Sequence, residues 1–424
     1  MLLQYSIENF LSFKNKVTFS MASAADDSMA ETHTTKFGSK SYGKVTAFYG
    51  ANASGKSSFV DSLHFIKGFF INSNTLYENT KIRRHPFRLD KESEKAPSSF
   101  EITFVKDGVK YDYSFSCDDE RVLSEFLYSY PKGKIKVLFE RTGNDFNFGS
   151  AAGKALSILN LLKEANKKNQ LFLVTGATTG NVSSFKPAFE YIMDDLVVPL
   201  GDTWSLPKKS IDEMIDGFED FDEYKSFALK VFKEADFNIV DFDRFKKPVD
   251  KSDAVYQAVA HMKKAGLRLQ DPPEEVTETF FMHNINGGKW AIKLEAQSTG
   301  TKTLYNSMPF LYDVLSKGRS LIVDEMECGL HPMLTEFIVK LFTNPEINKK
   351  NAQLIFTTHN TYLLDLDLLR RDQVWFFEKD PMTGISDLYP LTEFSPRKGE
   401  NIQKGYLNGR YGAVPLISNK VNLW

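Results

Sequence analysis

Residues 50 to 57 read Gly-Ala-Asn-Ala-Ser-Gly-Lys-Ser, the G-x-x-x-x-G-K-[ST] spacing of a phosphate-binding loop. An apolar stretch, Val45 to Tyr49, precedes it, and a helix-like run starts at Ser57. Strand, Gly-rich turn and helix in that order give the motif its physical meaning. Successive backbone N–H groups face one concavity, and the helix N-terminus adds its dipole, so polyphosphate is held largely by main chain. The spacing predicts that Gly50, Asn52, Ala53, Ser54, Gly55, Lys56, Ser57 and Ser58 surround the phosphates of ATP. Lys56 is expected to reach the β- and γ-phosphates, and the Ser57 hydroxyl to sit on Mg2+.

A second group of reactive residues lies far downstream. Leu321-Ile-Val-Asp324-Glu325 is an apolar strand ending in two carboxylates. Ligands of parallel α/β sheets bind beyond the strands' carboxyl ends. Asp324 therefore suits the Mg2+ shell beside Ser57, and Glu325 suits polarising an attacking water. Hydrolysis of a phosphoanhydride needs metal, charge clamps and an oriented water more than covalent chemistry. The next apolar strand ends in Thr357-Thr358-His359, which puts His359 on the same rim, able to bond the γ-phosphate or the water. Between them, Gly329-Leu-His-Pro332 forms a turn into a helix, with Pro332 suited to the first helical position. Upstream, Gln297-Ser298-Thr-Gly300-Thr301 opens a further helix. Ser298 and Gly300 there read either as an ordinary helix cap or as a second anion site without a lysine.

The elements that must carry these residues follow from the patterning. Leu3, Tyr5 and Ile7 alternate as a strand, and Ala22 to Lys44 reads as a polar loop. A helix is expected over about 56–71. Strand alternation returns at 100–105, 111–115 and 135–139, with Asp107-Gly108 as a hairpin turn. From 151 to 275 the spacing becomes helical, as in Leu156, Ile158, Leu159, Leu161 and Leu162. Strands are expected again near 277–281 and 290–294, then a helix (about 301–317), a strand (320–323), a helix (about 332–343) and a strand (353–357). Short apolar strands alternating with helices predict a parallel sheet covered on both faces.

Composition bounds the possibilities. The chain has 424 residues, 42% of them hydrophobic, including 36 Phe, which is ample for a core. A formal charge of −2 provides no global basic field for nucleic acid. Local basic runs, Lys81-Ile-Arg-Arg84 with Arg88 and Lys163 with Lys167 and Lys168, leave nucleic acid open as a partner. Two cysteines, Cys117 and Cys328, fit a reducing compartment. The N-terminus has no basic n-region or long apolar core, and no window approaches a bilayer-spanning length. A cytoplasmic protein with no membrane segment is expected.

Taken in order, GANASGKS, EAQSTGTK, LIVDE, ECGLHP and FTTH resemble Walker A, a degenerate signature motif, Walker B, the D-loop and the switch-histidine strand of ABC/SMC-class ATPase heads. The long separation of Lys56 from Asp324 is similar to SMC-type and OLD-like heads, in which an insertion divides the head. The tail, Asp372 to Glu378 and Asn408-Gly-Arg-Tyr-Gly-Ala-Val-Pro415, resembles prokaryotic anti-phage (abortive infection) ATPases of the RloA/OLD-like group. The resemblance implies an α/β fold: an ABC-type head with a mixed or parallel sheet, interrupted by a largely helical insertion. Its N-terminal half would span 1–150, the insertion 151–275 and the C-terminal half 276–424.

It also implies an ATP hydrolase in which two heads sandwich two nucleotides. Ser298 and Gly300 of one subunit then act on the γ-phosphate held by another, in a head-to-tail dimer or higher even oligomer. Glu325 and His359 are the implied catalytic residues, and Ser57 and Asp324 the metal contacts. A separate effector, a Toprim-like or RloB-like nuclease, is the implied second partner, because the stretch after His359 is expected to be too short for a Toprim domain. Two departures stand out: the signature is not LSGGQ, and no glutamine lies between Ser57 and Gln170, leaving the 82–90 segment to replace a Q-loop. The alternative is an SMC- or Rad50-like DNA-engaging repair ATPase, against which the insertion lacks sustained coiled-coil heptads.

Overall fold

The computed structural model describes residues 1–149, 153, 155–201, 204–206, 209–248, 252, 254–264, 274–397 and 399–415. Its strands run β1 (Leu2–Glu8), β2 (Val17–Ser20), β3 (Thr34–Phe37), β4 (Lys40–Gly43), β5 (Val45–Gly50), β6 (Ser98–Lys106), β7 (Val109–Cys117), β8 (Val122–Tyr130) and β9 (Lys136–Thr142) in the first part of the chain. They continue as β10 (Asp145–Asn147), β11 (Leu196–Val197), β12 (Ile239–Pro248), β13 (Glu275–Ile285), β14 (Gly288–Lys293), β15 (Ser320–Val323), β16 (Gln353–Thr357), β17 (Val374–Lys379) and β18 (Ser386–Pro390). The fold is mixed α/β, as expected.

The chain divides into two compact units, Met1–Pro207 with Asp313–Trp424, and Lys208–Tyr312. The first holds two large sheets. One is a six-stranded sheet in the order β11-β15-β16-β5-β17-β18, parallel except for β18. β5, β15 and β16 are wholly buried, which explains their apolar runs Ala47 to Tyr49, Leu321 to Val323 and Leu354 to Phe356. The other is an antiparallel sheet in the order β10-β9-β8-β7-β6-β1-β2. The helix Lys56–Asn72 packs between the two sheets through an aromatic ladder. Phe59 lies 5.0 Å from Phe48 and 5.7 Å from Phe377 on one side, and 5.3 Å from Tyr5 on the other. Phe65 and Phe69 extend the contact to Phe100 and Phe115. Large buried rings of this kind supply much of a core's free energy.

The N-terminus is tied into this frame by Gln353, whose buried amide bonds the N–H and C=O of Leu2 and the carbonyl of Gly43. Asp107 and Gly108 both have φ in the left-handed region, +51° and +73°, as a two-residue hairpin turn requires.

Several elements depart from the sequence pattern. The expected loop at 22–44 contains a short helix, Ala30–His33, and the β3–β4 hairpin. β8 is masked in sequence by Glu125, which points into the core; its carboxylate accepts from the Phe172 and Leu173 N–H groups and from the Tyr113 hydroxyl. β12 is hidden by a bulge between Ile239 and Asp241. Ile239 and Phe242 are both buried at a spacing of three, which reads as helical. The unit boundaries also differ from those expected at 150/151 and 275/276. The helices Leu156–Ala165 and Phe172–Thr178 lie in the first unit, because their apolar residues join its core. Residues 150 and 151 fall outside the described residues.

The second unit joins β12, β13 and β14 into an antiparallel sheet. It buries Phe242 and Phe281 against Tyr305, at 5.8 and 5.2 Å. Arg244 pins the helix Ile211–Asp216 through Asp212 and Asp216, at 2.6 and 2.8 Å. The helix Thr299–Lys317 starts in this unit.

Candidate nucleotide site

The phosphate loop leaves β5 where the backbone leaves no room for a side chain. A Cβ on Gly50 would lie 2.5 Å from both the Phe377 carbonyl oxygen and Ser54 Oγ. Gly55 has φ +118°, and a Cβ there would come within 2.7 Å of Ser386 Oγ. Only glycine tolerates both conditions. Gly55 precedes the 17-residue helix Lys56–Asn72 and offers no side chain to cap it, so the first-turn N–H groups have no side-chain acceptor. Ser54 Oγ is buried with no partner. Lys56 is 5% exposed, and its ammonium donates to the Gly50 and Ala51 carbonyls at 2.8 and 3.1 Å. An uncapped helix start, a partnerless hydroxyl and a lysine folded onto its own loop together fit a polyphosphate anion.

The register of the parallel sheet sets the opposite wall. Val323 pairs with Phe356, so Asp324 and Thr357 follow side by side. The Thr357 hydroxyl donates to Asp324 Oδ1 at 2.5 Å and accepts the Glu325 N–H at 2.7 Å. Glu325 takes φ +49°, a conformation that costs a non-glycine residue free energy and clusters at functional sites. The turn then closes through Met326 N–H to the Thr357 carbonyl, Cys328 N–H to that of Glu325 and Leu330 N–H to that of Glu327. At the end of β16, Thr358 N–H bonds the Phe48 carbonyl, next to the phosphate loop. Pro332 is the first residue of the helix Pro332–Thr343, and His331 Nδ1 accepts from Met333 N–H.

These walls act on one another electrostatically. Burial lowers the pKa of Lys56, while the carboxylates of Asp324, Glu325 and Glu327 pull it back up. Burial, and then the charge of Lys56, lower the pKa of His359 against the same three carboxylates. The fold thus gathers Lys56, Asp324, Glu325 and His359, drawn from three separate stretches of sequence. Among the described residues, no group of three or more His, Cys, Asp or Glu forms a metal cage by itself. Mg2+ needs none when phosphate oxygens supply part of its shell. Ser57 and Asp324 are the residues that fit such an ion.

Two residues inside the FTTH and ECGLHP segments make contacts that motif reading does not give. The partner of Thr357 follows from its register opposite Asp324, and that of Glu327 from its bond to His359 N–H at 2.5 Å. The 82–90 segment is held by structural contacts: Arg84 spends its guanidinium on Asp119, Ser98 and the Ala96 and Glu94 carbonyls. Ser298 and Gly300 belong to the other compact unit. There Ser298 Oγ accepts Thr301 N–H at 3.2 Å and lies 2.8 Å from Thr301 Oγ1, an N-cap arrangement. The tail motif packs on β17: Glu378 takes Ala413 N–H and the Tyr389 hydroxyl, and Tyr411 and Tyr406 stack on Phe376.

A family model described as "AAA domain, putative AbiEii toxin, Type IV TA system" matches residues 45–169 and 205–365. The chain belongs to that family. The first matched stretch contains the phosphate loop, and the second contains Asp324, Glu325, Glu327 and His359. Family membership makes the chain a P-loop ATPase of the AAA type. No curated protein matches it. Among solved structures it is similar to an SMC head bound to the C-terminal winged-helix domain of ScpA, at 13% identity and TM-score 0.47, covering 93% of this chain and 99% of that one. The SMC head domain of Thermotoga maritima gives 14% identity and TM-score 0.41, with 92% and 98% covered. An SMC head from Pyrococcus furiosus gives 13% and 0.40, with 93% and 97% covered. Among the described residues, no helix of this AAA-domain protein is long and apolar enough to cross a membrane.

Proposed function

We propose that the chain hydrolyses ATP and uses the cycle as a switch in anti-phage defence, pairing with a second copy when ATP is bound and regulating a separate effector. The observation that carries the hydrolytic reading is the Thr357 hydroxyl, shared between Asp324 Oδ1 and Glu325 N–H. It holds Asp324 by its carboxylate and Glu325 by its backbone, which supports different tasks for the two. Asp324, one oxygen occupied, is held for a metal ion with Ser57. Glu325, exposed and turned by its positive φ, is free to orient water. Mg2+, when bound, supplies charge neutralisation at the phosphates; Lys56 leaves the Gly50 and Ala51 carbonyls to clamp them, and His359 bonds the γ-phosphate or the water.

The defence reading draws on the family description, whose words "putative AbiEii toxin, Type IV TA system" name a toxin–antitoxin system, and on the resemblance of the tail to RloA/OLD-like ATPases. The pairing reading gives Ser298 and Gly300 their role: placed on the nucleotide of a second copy, they complete a site that Lys56, Asp324 and Glu325 begin. The effector is a Toprim-like or RloB-like nuclease encoded separately. The test is ATP turnover alongside light-scattering mass with ATP, ADP and no nucleotide. Turnover with an ATP-dependent doubling of mass supports the reading. Nucleotide binding without turnover, or a mass indifferent to ATP, contradicts it. ATP-dependent binding of duplex DNA by this chain alone would favour the DNA-engaging repair ATPase instead.

A further inference from the structure

One carboxylate of the site has no part in the reaction as outlined. Glu327 lies on the turn after Glu325. Its Oε1 accepts the N–H of His359 at 2.5 Å, and its Oε2 is buried without a partner. Desolvating a carboxylate and satisfying only one of its oxygens costs free energy, so the contact needs a reason.

Closing the turn is not that reason, because the main-chain bonds of Met326, Cys328 and Leu330 already close it. Joining β15 to β16 is not the reason either, since the ladder from Ser320–Gln353 to Val323–Phe356 and the Thr357 hydroxyl do so. What the Glu327 side chain alone provides is an acceptor for the backbone N–H of His359, across 32 positions of sequence. His359 is exposed two residues beyond the end of β16, where the ladder no longer holds it. The next residue is anchored independently, by the Tyr49 hydroxyl donating to the Asn360 carbonyl at 3.1 Å. The switch histidine thus stands on a backbone pinned at two points, one from the carboxylate turn and one from the strand that carries the phosphate loop.

We propose that Glu327 is a positioning residue for ATP hydrolysis: its carboxylate fixes the backbone at His359 so that the imidazole meets the site formed by Lys56, Asp324 and Glu325. The proposal rests on the hydrolytic reading. It assigns the work to an acceptor at the correct reach rather than to a negative charge. Two conservative variants separate these, because Glu327→Asp keeps the charge and shortens the side chain by one methylene, whereas Glu327→Gln keeps reach and acceptor and removes the charge.

The experiment is steady-state ATPase kinetics on full-length protein, with thermal melts as a check of folding. Glu327→Ala and Glu327→Asp are expected to lower kcat by about tenfold or more with KM for ATP within about twofold, as misplacement of a catalytic group does. Glu327→Gln recovers most of the turnover that alanine loses. In a His359→Ala background, Glu327→Ala costs nothing further, since residues acting as one unit are non-additive. A glutamine variant as slow as alanine, an additive loss on His359→Ala, or a normal kcat in Glu327→Ala and Glu327→Asp overturns the proposal. If the alanine variant does not fold, the Asp and Gln pair decides. Absence of turnover in the unsubstituted protein would instead sink the hydrolytic reading. Turnover that stops in Glu325→Gln yet survives in Glu327→Ala sinks the positioning role alone.

Discussion

Two long helices of this protein begin on short runs of small and hydroxylic residues, and their first turns are used in opposite ways. The helix Lys56–Asn72 starts behind Gly55 with no side-chain cap, and Ser54 Oγ beside it is buried and unpartnered. The helix Thr299–Lys317 starts behind Ser298, whose hydroxyl is spent on Thr301. The first turn is left open and backed by a buried lysine, an arrangement that suits an anion. The second is already satisfied by its own cap, and the lysine of its first turn, Lys302, is not buried, so under the proposed pairing it joins a site rather than founding one. Small residues at a helix start do not by themselves make a ligand site; what matters is whether the chain consumes its own donors.

That contrast is most exposed to Lys56→Ala. Removing the buried ammonium deletes the charge-assisted contacts to the phosphates, and ATP affinity should fall by about 100-fold or more in equilibrium titration. Near-normal affinity would mean the open turn is not the receptor. Next comes Glu325→Gln, which should bind ATP normally, lose about 100-fold or more in kcat, and hold the paired state in light scattering. Normal turnover would remove Glu325 from the chemistry. Ser298→Arg should then sharpen the other half of the comparison, costing about tenfold or more in hydrolysis while leaving the affinity of the unpaired chain for ATP unchanged. An unchanged rate would leave Ser298 as a cap and nothing else. Smallest is the stability effect of Ser298→Ala, which removes the cap and should cost about 1 kcal/mol in chemical denaturation. A loss of zero would mean that the Thr301 N–H is satisfied without it.

Much of the first unit is readable in the residues because local and global signals agree there. The helices at 56–72 and 332–343 and the strands at 320–323 and 353–357 come out almost to the residue, since each apolar run is bounded by Gly, Pro or charge. Where reading fails, a side chain serves a distant element. Glu125 sits in a core strand because it caps the start of another segment, and a bulge in β12 disguises a strand as a helix. The same holds within the site. The phosphate loop and the Asp324–Glu325 pair are contiguous motifs, so they are legible. Thr357 and Glu327 stand inside the FTTH and ECGLHP segments, but their bonds depend on sheet register and a turn, so the motifs show the residues without their partners.

The central claim is that one chain begins a site which another completes, and a mixing experiment tests it directly. Lys56→Ala and Ser298→Arg should each be nearly inactive alone. Mixed in equal amounts with ATP, they form heterodimers in which the intact phosphate loop of one meets the intact Ser298 of the other. Half of the pairs then carry one good site of two, so turnover should return to roughly a quarter of the unsubstituted rate, by simple counting over a two-fold assembly. A mixture no more active than its components would contradict the account.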